Sequence, residues 1–210
     1  MLSILPFVKK AALREYRQAL PRIRREEVAQ IDWNSHNGTF GVAGNTFRAY
    51  TGWQSSPSKV FREWAEQHAT SMVLRTEARS IRSQDNFERL HQRLSRSLQR
   101  AWRAAQGREL TVAHKYKLID LYIKWLTRHR LPDADLNNAL LRFGHCALDR
   151  QTLAKINSHL NGALPIAKAT MGVIAAEATY SLCQSVVREY CAIAGGSPVL
   201  FDYFAWQSGG

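Results

Sequence analysis

Cysteine is scarce and without pattern in this chain. Cys146, Cys183 and Cys191 are an odd number with no C-x-x-C pair. That argues against a disulfide framework and a four-thiolate zinc or iron–sulfur site, and a reducing cytoplasm is the simplest compartment. Long hydrophobic runs are missing too: nothing approaches the roughly 18–20 apolar residues of a spanning helix. The opening MLSILPFVKK places its apolar run before its lysines and is too short for a secretory leader. The expectation is a soluble, unprocessed cytoplasmic protein with no membrane association. The seven histidines are scattered, with no H-E-x-x-H and no H-x-E with P-C-x-x-C, so neither a metal nor another cofactor is expected. A G-x-S-x-G elbow is absent, which removes the usual setting of a serine nucleophile. Acidic residues are few, 17 against 29 Lys plus Arg, giving a net charge of +12 and a pI near 10.1. Such a balance favours polyphosphate or an acidic surface, with nucleic acid the leading partner.

What is present is enough for a core: 210 residues, 45% of them hydrophobic. Residues 1–35 read as helical, with seven basic residues between Lys9 and Arg25 opposed only by Glu15. In NGTFGVAGNTFRAYTGW, Thr39–Ala43 and Thr46–Tyr50 flank Gly44-Asn45, a pairing that predicts a small N-terminal β-hairpin. Gly38, Gly41 and Gly44 are hairpin glycines on this reading, because no Gly-Lys-Ser/Thr follows to make a phosphate cradle. From Ser58 onward helical periodicity dominates, interrupted at Ser83, Gly107–Thr111, Leu131-Pro132, Gly144 and Gly162–Pro165. The chain is therefore expected to be mainly α, one compact domain over 1–210 with two possible lobes, 1–83 and 84–210.

Two stripes run along 84–105. Phe87, Leu90, Leu94, Leu98 and Trp102 predict a buried face. Arg89, Arg93, Arg96, Arg100 and Arg103 form the other stripe, either a solvated surface or a row of phosphate contacts. Asp133-Ala134-Asp135 follows Pro132, where acids suit a helix start better than a nuclease metal site. A helix over 175–194 stops at Gly195-Gly196, and SPVLFDYFAW then crowds Phe201, Tyr203, Phe204 and Trp206 together, either as a docked terminal segment or as rings that stack on a base.

Thr111 is the predicted N-cap of a helix running to Arg128. Lys117, Asp120 and Lys124 share a face of it; as a surface ladder they contribute only about 0.2–0.5 kcal/mol per pair. Asp149 stands between Leu148 and Arg150 as the predicted N-cap of DRQTLAKINSHL. Lys117-Leu118-Ile119-Asp120, an apolar helix, and then Cys146-Ala147-Leu148-Asp149 opening another helix together resemble the helix-hairpin-helix DNA glycosylases, the 8-oxoguanine glycosylase branch in particular. The resemblance covers Gly107 to Leu160. The glycine hairpin of that family is replaced here by Gly107-Arg108-Glu109-Leu110.

The resemblance implies a glycosylase-like helical fold, with Lys117 as the amine and Asp149 as the essential carboxylate facing a nucleotide flipped out of double-stranded DNA. It also implies a base pocket drawn from Phe201, Tyr203, Phe204, Trp206 and His145, and DNA contacts from the arginine stripe, Thr111, Lys115 and Arg150. The chemistry suits these residue types. Breaking an N-glycosidic bond builds positive charge on the sugar, which a nearby carboxylate stabilises, and a lysine of lowered pKa can attack C1′ and add lyase activity. The expected activity is excision of a modified base by a monomer, leaving an abasic site. The substrates considered include a hypermodified cytosine of phage DNA, such as a glucosylated hydroxymethylcytosine, removed as antiviral defence. A repair glycosylase/lyase for 8-oxoguanine and a non-catalytic helical DNA-binding protein of a phage or mobile element are the alternatives.

Overall fold

A computed structural model of the chain describes residues 3–35, 38–43, 46–47, 54–74 and 81–207, the side chains of 71–74 excepted. Among them are eight α-helices: α1 (Lys10–Glu27), α2 (Pro57–Leu74), α3 (Gln84–Gln106), α4 (Val112–Arg128), α5 (Ala134–Phe143), α6 (Arg150–His159), α7 (Glu177–Ala194) and α8 (Pro198–Gln207). The protein is mainly α, as the periodicity predicts. Helix boundaries fall where cap chemistry places them. Ser83 caps α3 by accepting from the Asn86 N–H, Gly107 ends it in the left-handed conformation at φ 66°, and Thr111 caps α4 by accepting from His114. Asp133 accepts from the N–H groups of Asp135 and Leu136, so it is a cap rather than a metal ligand.

The strand reading needs correction. Described residues of Thr39–Ala43 follow turns and irregular backbone, and Thr46 and Phe47 lie in 3-10 geometry. Gly44-Asn45 and residues 48–50 lie outside the described residues. The extended pairing that is present joins β1 (Ile31–Asp32) in parallel to β2 (His129–Arg130). Gly41 lays the loop on α4: at φ 82°, an added Cβ would sit 2.5 Å from the Leu121 carbonyl oxygen and 2.7 Å from the Trp125 Cβ. Gly41 thus marks a close backbone approach rather than a hairpin position.

Two hydrophobic clusters fill the interior. One joins α1, α6, α7 and α8 around Tyr16, Ile23, Leu153, Tyr190 and Phe201; the other joins α2, α3, α4 and α5 around Phe61, Phe87, Trp102, Tyr122 and Leu140. α4 contributes to both, with Ala113 and Tyr116 in the first and Leu118, Ile119 and Tyr122 in the second. The clusters do not divide at residue 83, because α1 packs mainly on α8. No described helix is long and apolar enough to cross a membrane. Cys146, Cys183 and Cys191 are free and buried. Burial pushes the Cys183 thiol up to about 11, and burial also raises Cys146 and Cys191. None is a ready nucleophile.

Candidate active site

The turn between α5 and α6 carries Asp149, and buried polar groups hold that turn. Gln184 on α7 brackets Cys146, accepting from its N–H (3.2 Å) and donating to its carbonyl (2.7 Å). Asp202 on α8 accepts the Ala147 N–H at 2.7 Å. Asp149 then opens α6 in a capping box. Its Oδ1 accepts from the N–H groups of Gln151 (2.9 Å) and Thr152 (3.0 Å), and its own N–H donates to the Thr152 hydroxyl oxygen (2.9 Å). These bonds use one carboxylate oxygen. Among the described residues Oδ2 accepts no hydrogen bond, and Asp149 is only 5% exposed.

Asp149 lines a cavity of about 320 Å³ with Lys117, Leu121 and Lys124 of α4 and Trp206 of α8. Gly41, Ala43 and Thr46 of the loop complete the lining. The lysine and aspartate proposed from sequence therefore meet in one pocket. The two lysines there differ. Lys124 is tied to Asp202 in an ion pair and sits 4.3 Å from the centre of the Tyr203 ring. Lys117 is half-buried and makes no ion pair or hydrogen bond among the described residues. Its charge is felt by His114, whose imidazole is lowered first by burial and then by Lys117. A second cavity of about 340 Å³ shares Gly41, Ala43, Leu121 and Lys124 and extends past Trp125 to Arg128 and His129. Gly41→Ala is expected to cost about 1–3 kcal/mol through its left-handed backbone and to pull the loop off α4. A thermal melt reads that cost, and an unchanged melting temperature would refute the close approach.

Asp202 is the site residue that sequence reasoning passed over. Burial raises its carboxyl above the ordinary value, the Lys124 ammonium opposes that rise, and Asp149 adds to it. The available signal was a single acid inside the apolar run LFDYF.

The base-pocket rings divide sharply. Phe201, Tyr203 and Phe204 are at most 4% exposed. Phe201 and Phe204 pack on Tyr16 and His159, while the Tyr203 hydroxyl donates to the Lys124 carbonyl. These three rings are core and offer no face to a base as they stand. Trp206, 48% exposed, does face the cavity. His145 does not line it. It is buried with α3, α4 and α7, its Nδ1 2.8 Å from the Tyr180 hydroxyl and its Nε2 2.9 Å from Glu88. Burial lowers its imidazole pKa. Burial alone would raise the Glu88 carboxyl, but His145 and Gln84 bring it down to about 2. Asp120 is no part of a surface ladder: fully buried, it accepts from Tyr180 (2.8 Å) and pairs with His91 (2.8 Å).

All five arginines of the α3 stripe are exposed. Arg89, Arg96 and Arg100 make no ion pair among the described residues, whereas Arg103 is paired with Glu109. Lys115 is likewise engaged, 2.8 Å from Glu177. The Thr111 hydroxyl serves the α4 cap, and Arg150 stands exposed beside Asp149. No family model, curated protein or solved structure matches the chain.

Proposed function

We propose that the protein is a DNA glycosylase that flips a modified base out of the duplex and releases it at the Asp149 pocket. The observation that carries this reading is the meeting of Lys117 and Asp149, from separate helices, in one cavity walled by Trp206. The carboxylate is held rigidly through Oδ1 while Oδ2 remains available to a sugar. Charge building on the deoxyribose as the glycosidic bond breaks would be stabilised there, and the attacking water would lose its proton to the same oxygen. The Lys117 amine, unpaired among the described residues, is the alternative nucleophile at C1′; its attack expels the base and leads to an imine, from which strand cleavage follows. Trp206 is the ring placed to stack on an extruded base. On this reading the released base is a modified one, with a hypermodified phage cytosine and 8-oxoguanine as the candidates.

The deciding experiment incubates the protein with genomic DNAs that carry different natural modifications, measures released bases by mass spectrometry and counts abasic sites, with Asp149→Asn in parallel. Release that depends on Asp149 supports the reading. Tight binding with no release from any DNA overturns it and favours a non-catalytic DNA-binding protein.

DNA binding has its own test. Replacing Arg89, Arg96 and Arg100 together by Gln is expected to flatten the dependence of log K on log salt by about 0.9 for each phosphate that the variant no longer neutralises. Fluorescence anisotropy across a salt series reads the slope, and an unchanged slope returns the stripe to a merely solvated face.

A further inference from the structure

A second cluster of chemistry-bearing side chains lies apart from the Asp149 pocket. Glu88 and His91 stand three residues apart on α3, a Glu-x-x-His spacing that puts a carboxylate and an imidazole on one helix face, as metal-binding helices do. His145, from the turn after α5, brings a second imidazole to the same place. One potential ligand atom from each of Glu88, His91 and His145 lies within 4.8 Å of the others. Donor atoms around one tetrahedral ion at about 2.0–2.2 Å stand about 3.4 Å apart, so side-chain rotations that close the set by up to about 1.4 Å would bring the three to coordinating distance. We propose that Glu88, His91 and His145 hold a divalent transition-metal ion, with zinc best suited to the two imidazoles and one carboxylate.

The hydrogen bonds around the cluster favour a cation. Tyr180 has a single hydroxyl proton, and Asp120 claims it, with both carboxylate oxygens within 3.0 Å. The 2.8 Å contact between His145 Nδ1 and the same hydroxyl therefore needs its proton on Nδ1. That leaves Nε2 of a neutral ring as a bare lone pair, 2.9 Å from a Glu88 oxygen. Two lone pairs converging in a half-buried site call for a positive charge between them, which the Arg188 guanidinium supplies in this structure and a metal ion would supply in its place. His145 is then held as metal-bound histidines are, its other ring N–H donated to a fixed partner, here the Tyr180 hydroxyl backed by Asp120.

The guanidinium of Arg188 now approaches both atoms, 3.1 Å from His145 Nε2 and 3.2 Å from Glu88. An ion must displace it. The Arg188 and Glu88 side chains are each 36% exposed, so the arginine can turn to water and the ion has an entry path. Bound there, the metal would tie α3 to the segment leading into Asp149.

The test strips the full-length protein with chelator, dialyses it against zinc and measures metal per chain, with cobalt substituted to give an absorption band. The expected result is one ion per chain. Glu88→Gln should weaken binding by at least about tenfold, and Tyr180→Phe by about 10–100-fold through loss of the hydrogen bond that orients His145. Arg188→Gln, which removes the competing cation, should tighten it. Glu88 reaches solvent, so its variant keeps the measurement meaningful should a histidine variant misfold, and circular dichroism checks that each variant is folded. Less than one ion per chain, or binding unchanged in Glu88→Gln, overturns the proposal and leaves the Arg188 guanidinium as the cation between His145 and Glu88.

Discussion

Asp149→Asn is expected to lower single-turnover base release by about 10²–10³-fold, the scale on which removing one preorganised charge-stabilising group acts. The substitution is well chosen because it separates the two roles of the side chain. Oδ1 accepts two backbone N–H groups at the start of α6, and an asparagine oxygen does the same, Asn and Asp being comparable caps. What disappears is the negative charge and the carboxylate oxygen left open to the cavity. Stability should therefore change by only about 0.5–1 kcal/mol, mostly from the lost interaction with the helix dipole. DNA affinity should hold or rise, since an anion facing a phosphate-rich ligand has been removed. Asp149→Ala removes the cap as well and should add about 1 kcal/mol of destabilisation. The pattern that sinks the reading is equal release by wild type and Asp149→Asn. Lys117→Gln completes the set. If the amine attacks C1′, borohydride traps a covalent adduct with wild type and none with Lys117→Gln, while a purely hydrolytic enzyme gives no adduct with either.

The parts of this molecule legible in its sequence are those decided locally. Helices α3 and α4 begin at Ser83 and Thr111 because the capping hydroxyls bond within their own first turns, and α3 ends at Gly107 because glycine adopts the left-handed conformation cheaply. The capping role of Asp149 is legible for the same reason. Matters that depend on partners distant in sequence were not. α8 is apolar on nearly every side, so its periodicity could not say which rings are buried; packing against Tyr16 and His159 takes Phe201 and Phe204, leaving Trp206 at the cavity. Asp120 looks like a surface rung beside Lys117 and Lys124, yet His91 and Tyr180 draw it inside. Gly41 is a turn residue by composition, and only the proximity of Leu121 and Trp125 reveals its use as a contact point.

Lys124→Met should be the most destabilising substitution in the pocket, by about 3–5 kcal/mol near neutral pH. Asp202 is 1% exposed and Lys124 is its ion-pair partner, so the variant leaves a buried carboxylate facing only the Ala147 N–H, the weak Cys146 thiol donor and the repulsive field of Asp149. Methionine preserves much of the lysine stem, so the loss reports the charge more than the volume. The pH dependence identifies the cause. Asp202 already has a folded pKa above its unfolded value, first through burial, and removing Lys124 raises it further. A group shifted in that direction favours folding below its unfolded pKa and loses that contribution as pH rises through the folded one. The deficit of Lys124→Met relative to wild type should accordingly shrink as pH falls from neutral toward the acid range and Asp202 becomes protonated in the variant. Asp202→Asn in the Lys124→Met background should recover much of the loss at neutral pH, because a neutral amide can keep accepting the Ala147 N–H. Melting curves of the two variants and wild type over a pH series decide it: a deficit independent of pH and not relieved by Asp202→Asn would mean that packing of the lysine stem, not its pairing with Asp202, holds this side of the pocket.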